Sequence, residues 1–260
     1  MNGLGGDPGP APQVPDWLLA SEYAVLLFAD RRSFAWEWLR RSAPYRAAWR
    51  DREVGEIVPS DFGLMKLEDP DLATPYARPI WTSALDPRVL RSTAADDQSA
   101  SSANLLDIRN FAEFVSVAVD ETNAEHWLLS DGHWVIRLDL HDGTLLGGPL
   151  FLDYQIGGLA DTGPKISALQ QLVALATDGE LPTSLKPRET RAPRWILELR
   201  TADAIATGAT QHEIAQAFFG SAVASERWRK ESSPYRSRVQ RLVKAAQRRL
   251  ADPLCGPWFS

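Results

Sequence analysis

The side chains best placed to do chemistry are the cations near the C-terminal end, and their chemistry would be the binding of a polyanion. Nine Lys or Arg lie between Arg227 and Arg249, with Glu231 as the only acid among them. At about 100° per residue, one helix face carries Ser237, Arg238, Arg241, Lys244, Arg248 and Arg249, with Arg236, Gln240 and Gln247 at its edge. Ordinary solvated helices mix charges of both signs to gain i,i+4 ion pairs. This face therefore predicts a phosphate-rich partner, double-stranded DNA.

The opposite face of the same segment is apolar and predicts how the helix is held. On the same wheel, one arc contains Tyr235, Val239, Leu242, Val243, Ala246 and Leu250. We predict that this arc faces a protein core. A helix attached in this way can enter the major groove with its N-terminal side chains on base edges.

The candidate contacts divide by role along the helix. Ser233, Tyr235, Arg236, Ser237 and Gln240 are candidates for reading bases, and Arg241, Lys244, Arg248 and Arg249 for holding phosphates. Arginine can also bind guanine through two hydrogen bonds, so the division stays open. The full set of predicted DNA contacts is Gln211, His212, Arg229, Lys230, Ser233, Tyr235, Arg236, Ser237, Arg238, Gln240, Arg241, Lys244, Arg248 and Arg249.

Two preceding helices are expected to position the basic helix. Apolar residues recur at helical spacing over Trp195–Thr207, and Gly208 stands where that helix would stop. The sequence Thr210-Gln211-His212-Glu213 is a capping box, which predicts that a second helix begins there and runs to Phe219. Two helices joined by a turn that contains glycine are the first half of a helix-turn-helix.

The charge of the chain is strongly polarised. The net charge is −6, but residues 186–260 hold fourteen Lys and Arg against seven Asp and Glu, a local balance of +7. Residues 1–185 therefore carry −13. A basic end on an acidic body is expected where one end of a protein meets a polyanion and the other does not.

Composition disfavours several other classes. The chain has no apolar run of the roughly 18 to 20 residues needed to span a bilayer, and its N-terminus lacks an export signal, so we expect a cytoplasmic protein. Cys255 is the single cysteine, and there are four histidines, so neither a disulfide nor a zinc site is expected. The sequence contains no Gly-rich phosphate loop and no nucleophile elbow. We therefore expect that the protein is not an enzyme and that it binds no cofactor.

Weaker alternatives stay open. The basic face could be a plain solvated surface or a membrane-surface helix, although it lacks bulky apolar anchors for the latter. His126, His133 and His141 could converge on a metal with Asp139 or Asp142. The acidic loop around Asp69 could place carboxylates in a cleft. The ten tryptophans are expected to pack in cores rather than to stack on a ligand.

The pattern along the chain predicts an α+β fold. Alternation and turn signals predict strands in Phe111–Val119, Trp127–Leu129, Trp134–Leu140 and Leu150–Tyr154, followed by a helix over Pro164–Ala176. The predicted parts are a disordered leader (1–15), an N-terminal helical module (16–91), a linker (92–104), a small antiparallel β-sheet with a helix (105–180) and a helical variant helix-turn-helix (193–260).

The C-terminal sequence also resembles a known family. The segments LELRTADAIATGATQHEIAQAFFG and WRKESSPYRSRVQRLVKAAQRRL, preceded by HWLLSDGHWVIRLDL, resemble RovC-type activators of type VI secretion genes and FseA-type activators of integrative and conjugative element transfer. Upstream, FAWEWLRRSAPYRAAW and FGLMKLEDPD resemble the N-terminal module that accompanies this domain. The family commonly ends in a short Gly-rich tail, whereas this chain continues as ADPLCGPW.

The resemblance implies a winged or variant helix-turn-helix, promoter binding and activation. It implies a sequence-specific transcriptional activator of secretion or mobile-element transfer genes. We expect the acidic parts to form a homo-oligomer or to meet RNA polymerase or an antiactivator protein, without contact to a membrane. Shorter relatives act as antiactivators, so the alternative is an interaction module that binds a regulator rather than DNA.

Overall fold

Short helices, each with a recognisable start, form the N-terminal part of the protein. The computed structural model describes residues 15–95, 101, 104–159, 162–220, 223 and 234–260, so the predicted leader lies outside it except for Pro15. A 3-10 helix, Ala20–Phe28, precedes α1 (Arg31–Leu39) and α2 (Ala43–Asp51). Asp30 caps α1 by accepting from the Arg32 amide, and Ser42 caps α2 by accepting from the Tyr45 amide. The predicted N-terminal helices are confirmed.

A five-stranded sheet occupies the centre. Its strands are β1 (Leu90–Ala94), β2 (Val115–Val119), β3 (Glu125–Ser130), β4 (Val135–Leu140) and β5 (Leu152–Gln155), in the order β2-β3-β4-β1-β5. Three pairs are antiparallel, but β1 runs parallel to β4. The α+β class and the central sheet are confirmed, and the sheet is mixed rather than purely antiparallel.

β1 corrects the predicted linker at 92–104. The first three residues of this predicted linker, Ser92 to Ala94, are the last three residues of β1 and pair with β5. Ser92 is fully buried, and its hydroxyl donates to the Asp139 carbonyl oxygen. The small polar residues that indicated a linker are therefore partly in the middle of the sheet.

One helix and one face of the sheet form a core of their own. The helix α3 (Thr162–Asp178) places Leu172 and Leu175 in the same cluster as the strand residues Leu129, Ile136 and Leu138. The helix predicted over Pro164–Ala176 is thus confirmed, with about one more half-turn at each end.

A second core joins the two ends of the chain. The helices α4 (Ala192–Ala206), α5 (Gln211–Phe219) and α6 (Pro234–Ala251) form the C-terminal part. Trp195 and Leu199 of α4 share one buried cluster with Phe34 and Trp38 of α1 and with Trp258, which follows α6. Two stretches predicted as separate parts therefore share one interior. In the described residues, no helix is long and apolar enough to cross a membrane.

Candidate nucleic-acid interface

The three C-terminal helices surround a small apolar core. The tight turn at 207–210 joins α4 to α5, with Gly208 at a φ of +82°. Thr210 and Glu213 form the predicted capping box: the Thr210 hydroxyl accepts from the Glu213 amide, and the Glu213 carboxylate accepts from the Thr210 amide. Ile214 and Ala215 of α5 pack with Val239 of α6. The predicted pair of helices joined by a turn that contains glycine is confirmed, and α6 follows after residues 220–233.

The apolar face of α6 lies where the helical wheel places it. Val239 and Ala246 are completely buried, and the other members of the predicted arc are partly buried. At the N-terminal end of α6, the rings of Tyr235 and Phe219 lie 5.1 Å apart. The Arg238 guanidinium lies 4.7 Å from the centre of the Phe219 ring. These contacts fix which face of α6 is turned to solvent.

The solvent face of α6 is a row of cations. The exposed residues on this face are Arg236, Ser237, Arg238, Arg241, Lys244, Gln247 and Arg248. Pro234–Ala251 contains no acid, and the five cations of this face make no ion pair with any residue that the structure describes. Steps of three or four residues separate Arg238, Arg241, Lys244 and Arg248, so they line one side over about 15 Å at 1.5 Å per residue. We call this row the α6 basic face.

Arg249 does not belong to the α6 basic face, which corrects the prediction. The residue is only 6% exposed, and its Nε donates to Glu198 Oε2 on α4 at 2.9 Å. The guanidinium also lies 4.5 Å from the centre of the Trp258 ring and donates to the Cys255 carbonyl. A buried arginine with a buried carboxylate partner has no free charge to offer a phosphate, so its role is to hold α6 against α4.

The other predicted contacts are placed differently. Gln211, at the first position of α5, is exposed, whereas His212, Tyr235 and Gln240 are partly buried. Arg229, Lys230 and Ser233 lie outside the described residues. The structure thus brings six of the predicted contacts, from Arg236 to Arg248, together on one helix face, and sets Gln211 and His212 on the neighbouring helix.

Buried ion pairs, which the sequence pattern did not predict, hold α4 against the N-terminal helices. Arg41 makes two hydrogen bonds, of 2.7 and 2.9 Å, to the Asp203 carboxylate, which also accepts from the Tyr23 hydroxyl at 2.6 Å. Burial and the nearby Asp203 carboxylate raise the pKa of Tyr23 above its usual range, so the phenol stays protonated and donates. The acids Glu198 and Asp203, each next to an apolar residue of α4 (Leu199 and Ala202), were the available signal for such partners.

On the N-terminal side, Glu37 completes this network. It accepts hydrogen bonds from Arg40 and Arg41 and from the Thr74 amide. Burial alone would raise the pKa of Glu37, but Arg40 and Arg41 outweigh it and lower the pKa to about 2. A chain of alternating charges therefore runs from α1 through Arg41 to Asp203 on α4.

Two family models match the chain, one before and one after the strands of the sheet in the sequence. Residues 158–252, from before α3 to just after α6, match the model described as the type VI secretion system transcription factor DNA-binding domain, RovC type. Residues 16–61, which include α1 and α2, match a proteobacterial transcriptional regulator-like domain. Among curated proteins, none matches the chain in sequence.

The comparisons bear on the C-terminal helices. Residues 158–252 are similar to the DNA-binding domain of a transcription factor, and the α6 basic face lies within these matched residues. More particularly, the chain carries a RovC-like DNA-binding domain, of a family linked to type VI secretion, together with an N-terminal proteobacterial transcriptional regulator-like domain.

Proposed function

We propose that the protein is a sequence-specific transcriptional regulator that binds double-stranded DNA through the α6 basic face. The observation that carries this proposal is the row of five exposed cations without an ion-pair partner in the described residues. Adjacent like charges on a helix repel each other by about 0.2–0.5 kcal/mol per pair, and a polyanion removes this repulsion. The match of these residues to a transcription-factor DNA-binding domain supports the same partner.

Within this proposal, the two ends of α6 have different tasks. Arg236, Ser237 and Arg238, near the N-terminal end, read base edges in the major groove. Arg241, Lys244 and Arg248, further along, bind phosphates and contribute affinity that depends on salt. Gln211 and His212, at the start of α5, support the protein on the DNA backbone.

The match to a family linked to type VI secretion supports a proposed biological role. We propose activation of transcription, with type VI secretion or mobile-element transfer genes as targets, because the matching family is linked to type VI secretion. The acidic remainder of the chain would form a homo-oligomer or meet RNA polymerase in the cytoplasm. In an oligomer, two or more copies of α6 would bind a repeated operator.

Binding of the full-length protein to DNA tests the proposal. The probes are the fragment upstream of its own gene and an unrelated fragment of equal length, each at about 50 mM and 200 mM salt. We expect preferential binding to the upstream fragment, weakened at the higher salt and lost in the triple variant Arg238→Ala/Arg241→Ala/Lys244→Ala.

A control that removes two cations from other elements, compared with the double variant Arg241→Ala/Lys244→Ala, separates the α6 basic face from net charge. Arg50 on α2 and Arg91 on β1 are exposed and make no ion pair within the described ranges. The variant Arg50→Ala/Arg91→Ala should bind DNA like the wild type. If the folded protein binds neither fragment at either salt, the proposal is wrong, and an interaction module that binds a regulator protein becomes the better interpretation.

A further inference from the structure

A large cavity lies away from α6, against the start of α4. It has a volume of about 930 Å³ and opens between the end of the first 3-10 helix, the β3–β4 turn and residues 183–193. Small-molecule sites in proteins typically have about 300–1,000 Å³. The apolar part of its wall consists of Leu27, Phe28, Trp134, Pro187 and Pro193. We call it the Trp134 cavity.

The apolar wall of the Trp134 cavity is partly open to solvent. Trp134 is buried beneath it, but Phe28, at the rim, is 71% exposed and Leu27 is 43% exposed. Two large apolar side chains on adjacent positions beside a cavity offer a surface on which an aromatic or aliphatic body can pack.

The charges around this cavity are unbalanced in favour of cations. One of its two acids is ion-paired, since Glu189 contacts Arg31 and Arg191, each at 3.0 Å. The other, Asp131, accepts from the backbone amides of His133 and Trp134 and keeps its charge. Its two cations, Lys186 and Arg188, are exposed and pair with no acid in the described part of the chain. With Arg31 and Arg191 beside Glu189, four cations at the cavity outnumber its two acids, and Lys186 and Arg188 are the two that form no ion pair with the wall.

One buried ring nitrogen of the same wall is unsatisfied. His133 lines the cavity, and its Nδ1 is buried without a hydrogen-bond partner among the described residues. Buried polar atoms in native proteins are normally satisfied, so an orphan beside a cavity indicates a polar group that is supplied from outside the chain.

A neighbouring cavity of about 500 Å³ is a weaker candidate. It lies on the other side of the same segment and shares Lys186 and Arg188. Its remaining charges largely neutralise each other, since Arg32 pairs with both Asp30 and Asp86 at 2.8–2.9 Å. It also lacks the exposed apolar rim, so the larger cavity fits a ligand better.

We propose that the Trp134 cavity binds a small organic anion. The apolar body of this ligand packs on Trp134 and Phe28, and its carboxylate or sulfonate lies against Lys186 and Arg188. A polar atom of the ligand also satisfies His133 Nδ1. No residue of α6 lines the cavity, so this site does not depend on the DNA-binding role proposed above.

The first test uses anilinonaphthalenesulfonate, an aromatic sulfonate whose fluorescence rises in apolar surroundings. Titrated into the folded full-length protein, the probe should bind at a single saturable site. The variant Lys186→Ala/Arg188→Ala should weaken binding by about tenfold or more, because the anion loses both of its charged partners. The control Arg50→Ala/Arg91→Ala, which removes the same charge elsewhere, should keep the wild-type affinity.

The second test uses displacement of the probe by simple carboxylates. Each additional buried CH₂ should strengthen binding about fourfold, the factor that corresponds to about 0.8 kcal/mol, so octanoate, with four more CH₂ groups, should displace the probe at a concentration roughly 250-fold lower than butanoate. Neutral octanamide should be much weaker than octanoate. Phe28→Ser should reduce the advantage of the longer chain and leave butanoate unaffected.

Three results would overturn the proposal. One is the absence of saturable probe binding by the folded protein. Another is an equal loss of affinity in the cavity variant and in the control, and the third is octanamide that competes as well as octanoate. DNA binding measured on the same preparations reports separately on the α6 basic face, so failure at one site is distinguishable from failure at the other.

Discussion

Removing Arg241 and Lys244 together should change the salt dependence of DNA binding by a calculable amount. Both side chains are exposed on the α6 basic face, and neither pairs with an acid that the structure describes. Each phosphate neutralised by a cation on duplex DNA contributes about 0.9 to the slope of log K against log salt concentration. The variant Arg241→Ala/Lys244→Ala should therefore have a slope smaller by about 1.8.

The structure also sets the upper limit of this slope for the described part of α6. Five exposed cations correspond to a slope of about −4.5 if all of them contact phosphates. A cation that binds a base instead of a phosphate does not contribute the same fixed amount to the slope. Alanine retains the helix well, and both positions are in the middle of α6, so the fold should not change.

The assay is fluorescence anisotropy with a labelled duplex at four or more salt concentrations, on wild type, on the double variant and on Arg50→Ala/Arg91→Ala. The control should keep the wild-type slope, since its cations lie on other elements. An unchanged slope in the double variant, with its unfolding midpoint preserved, would refute the assignment of these two residues to phosphates.

Other predictions concern stability. Replacing Arg249 by Met should lower the unfolding free energy by up to about 3 kcal/mol in urea titrations, because the buried Glu198 keeps only the exposed Arg194 as an ion-pair partner. The DNA salt slope should stay unchanged, and a reduced slope would place Arg249 in the interface. Replacing Val239 by Asp should abolish the cooperative unfolding transition, since that position is completely buried, and a normal transition would contradict the packing of α6. The folded-state pKa of Glu37 is about 2, below its ordinary value of 4.5, so its stabilising contribution of roughly 3 kcal/mol should be present above pH 4.5 and lost as the pH falls towards 2. The difference in unfolding free energy between wild type and Glu37→Gln should therefore shrink over this pH range. A constant difference would count against the pairing of Glu37 with Arg40 and Arg41.

Local signals in the sequence predicted α5 and α6 well. The capping box at Thr210 needs only four consecutive residues, and the two faces of α6 follow from helical spacing alone. Such features are decided within a few turns of chain. They could therefore be read without knowing what else packs nearby.

The burial of Arg249 depends on partners that are distant in the sequence. On the wheel it belongs with Arg248, but Glu198 on α4 and Trp258 after the helix remove it from solvent. Periodicity cannot show which edge of a basic face meets a buried acid fifty-one residues earlier.

Strand β1 was missed for a similar reason. Its polar residues Ser92 and Thr93 are typical of a linker, and its place between β4 and β5 depends on pairings with strands that come tens of residues later. Seven of the ten tryptophans are buried as expected, whereas Trp17 and Trp49 are only partly buried and Trp228 lies outside the described residues. The sequence could not tell that Trp195 and Trp258 would share a core with Phe34.

The core shared by α1 and α4 constrains both the evolution of the sequence and the design of chimaeric proteins. Asp203 needs Arg41 and Tyr23, and Trp195 needs Phe34, so residues 193–260 expressed alone would carry an unpaired acid and bare aromatic rings. Substitutions in the N-terminal helices should therefore be tolerated only when they remain compatible with the residues of α4 that they contact, and the reverse should hold for α4. A chimaera that exchanges one end should be soluble only when its matching half is transplanted with it.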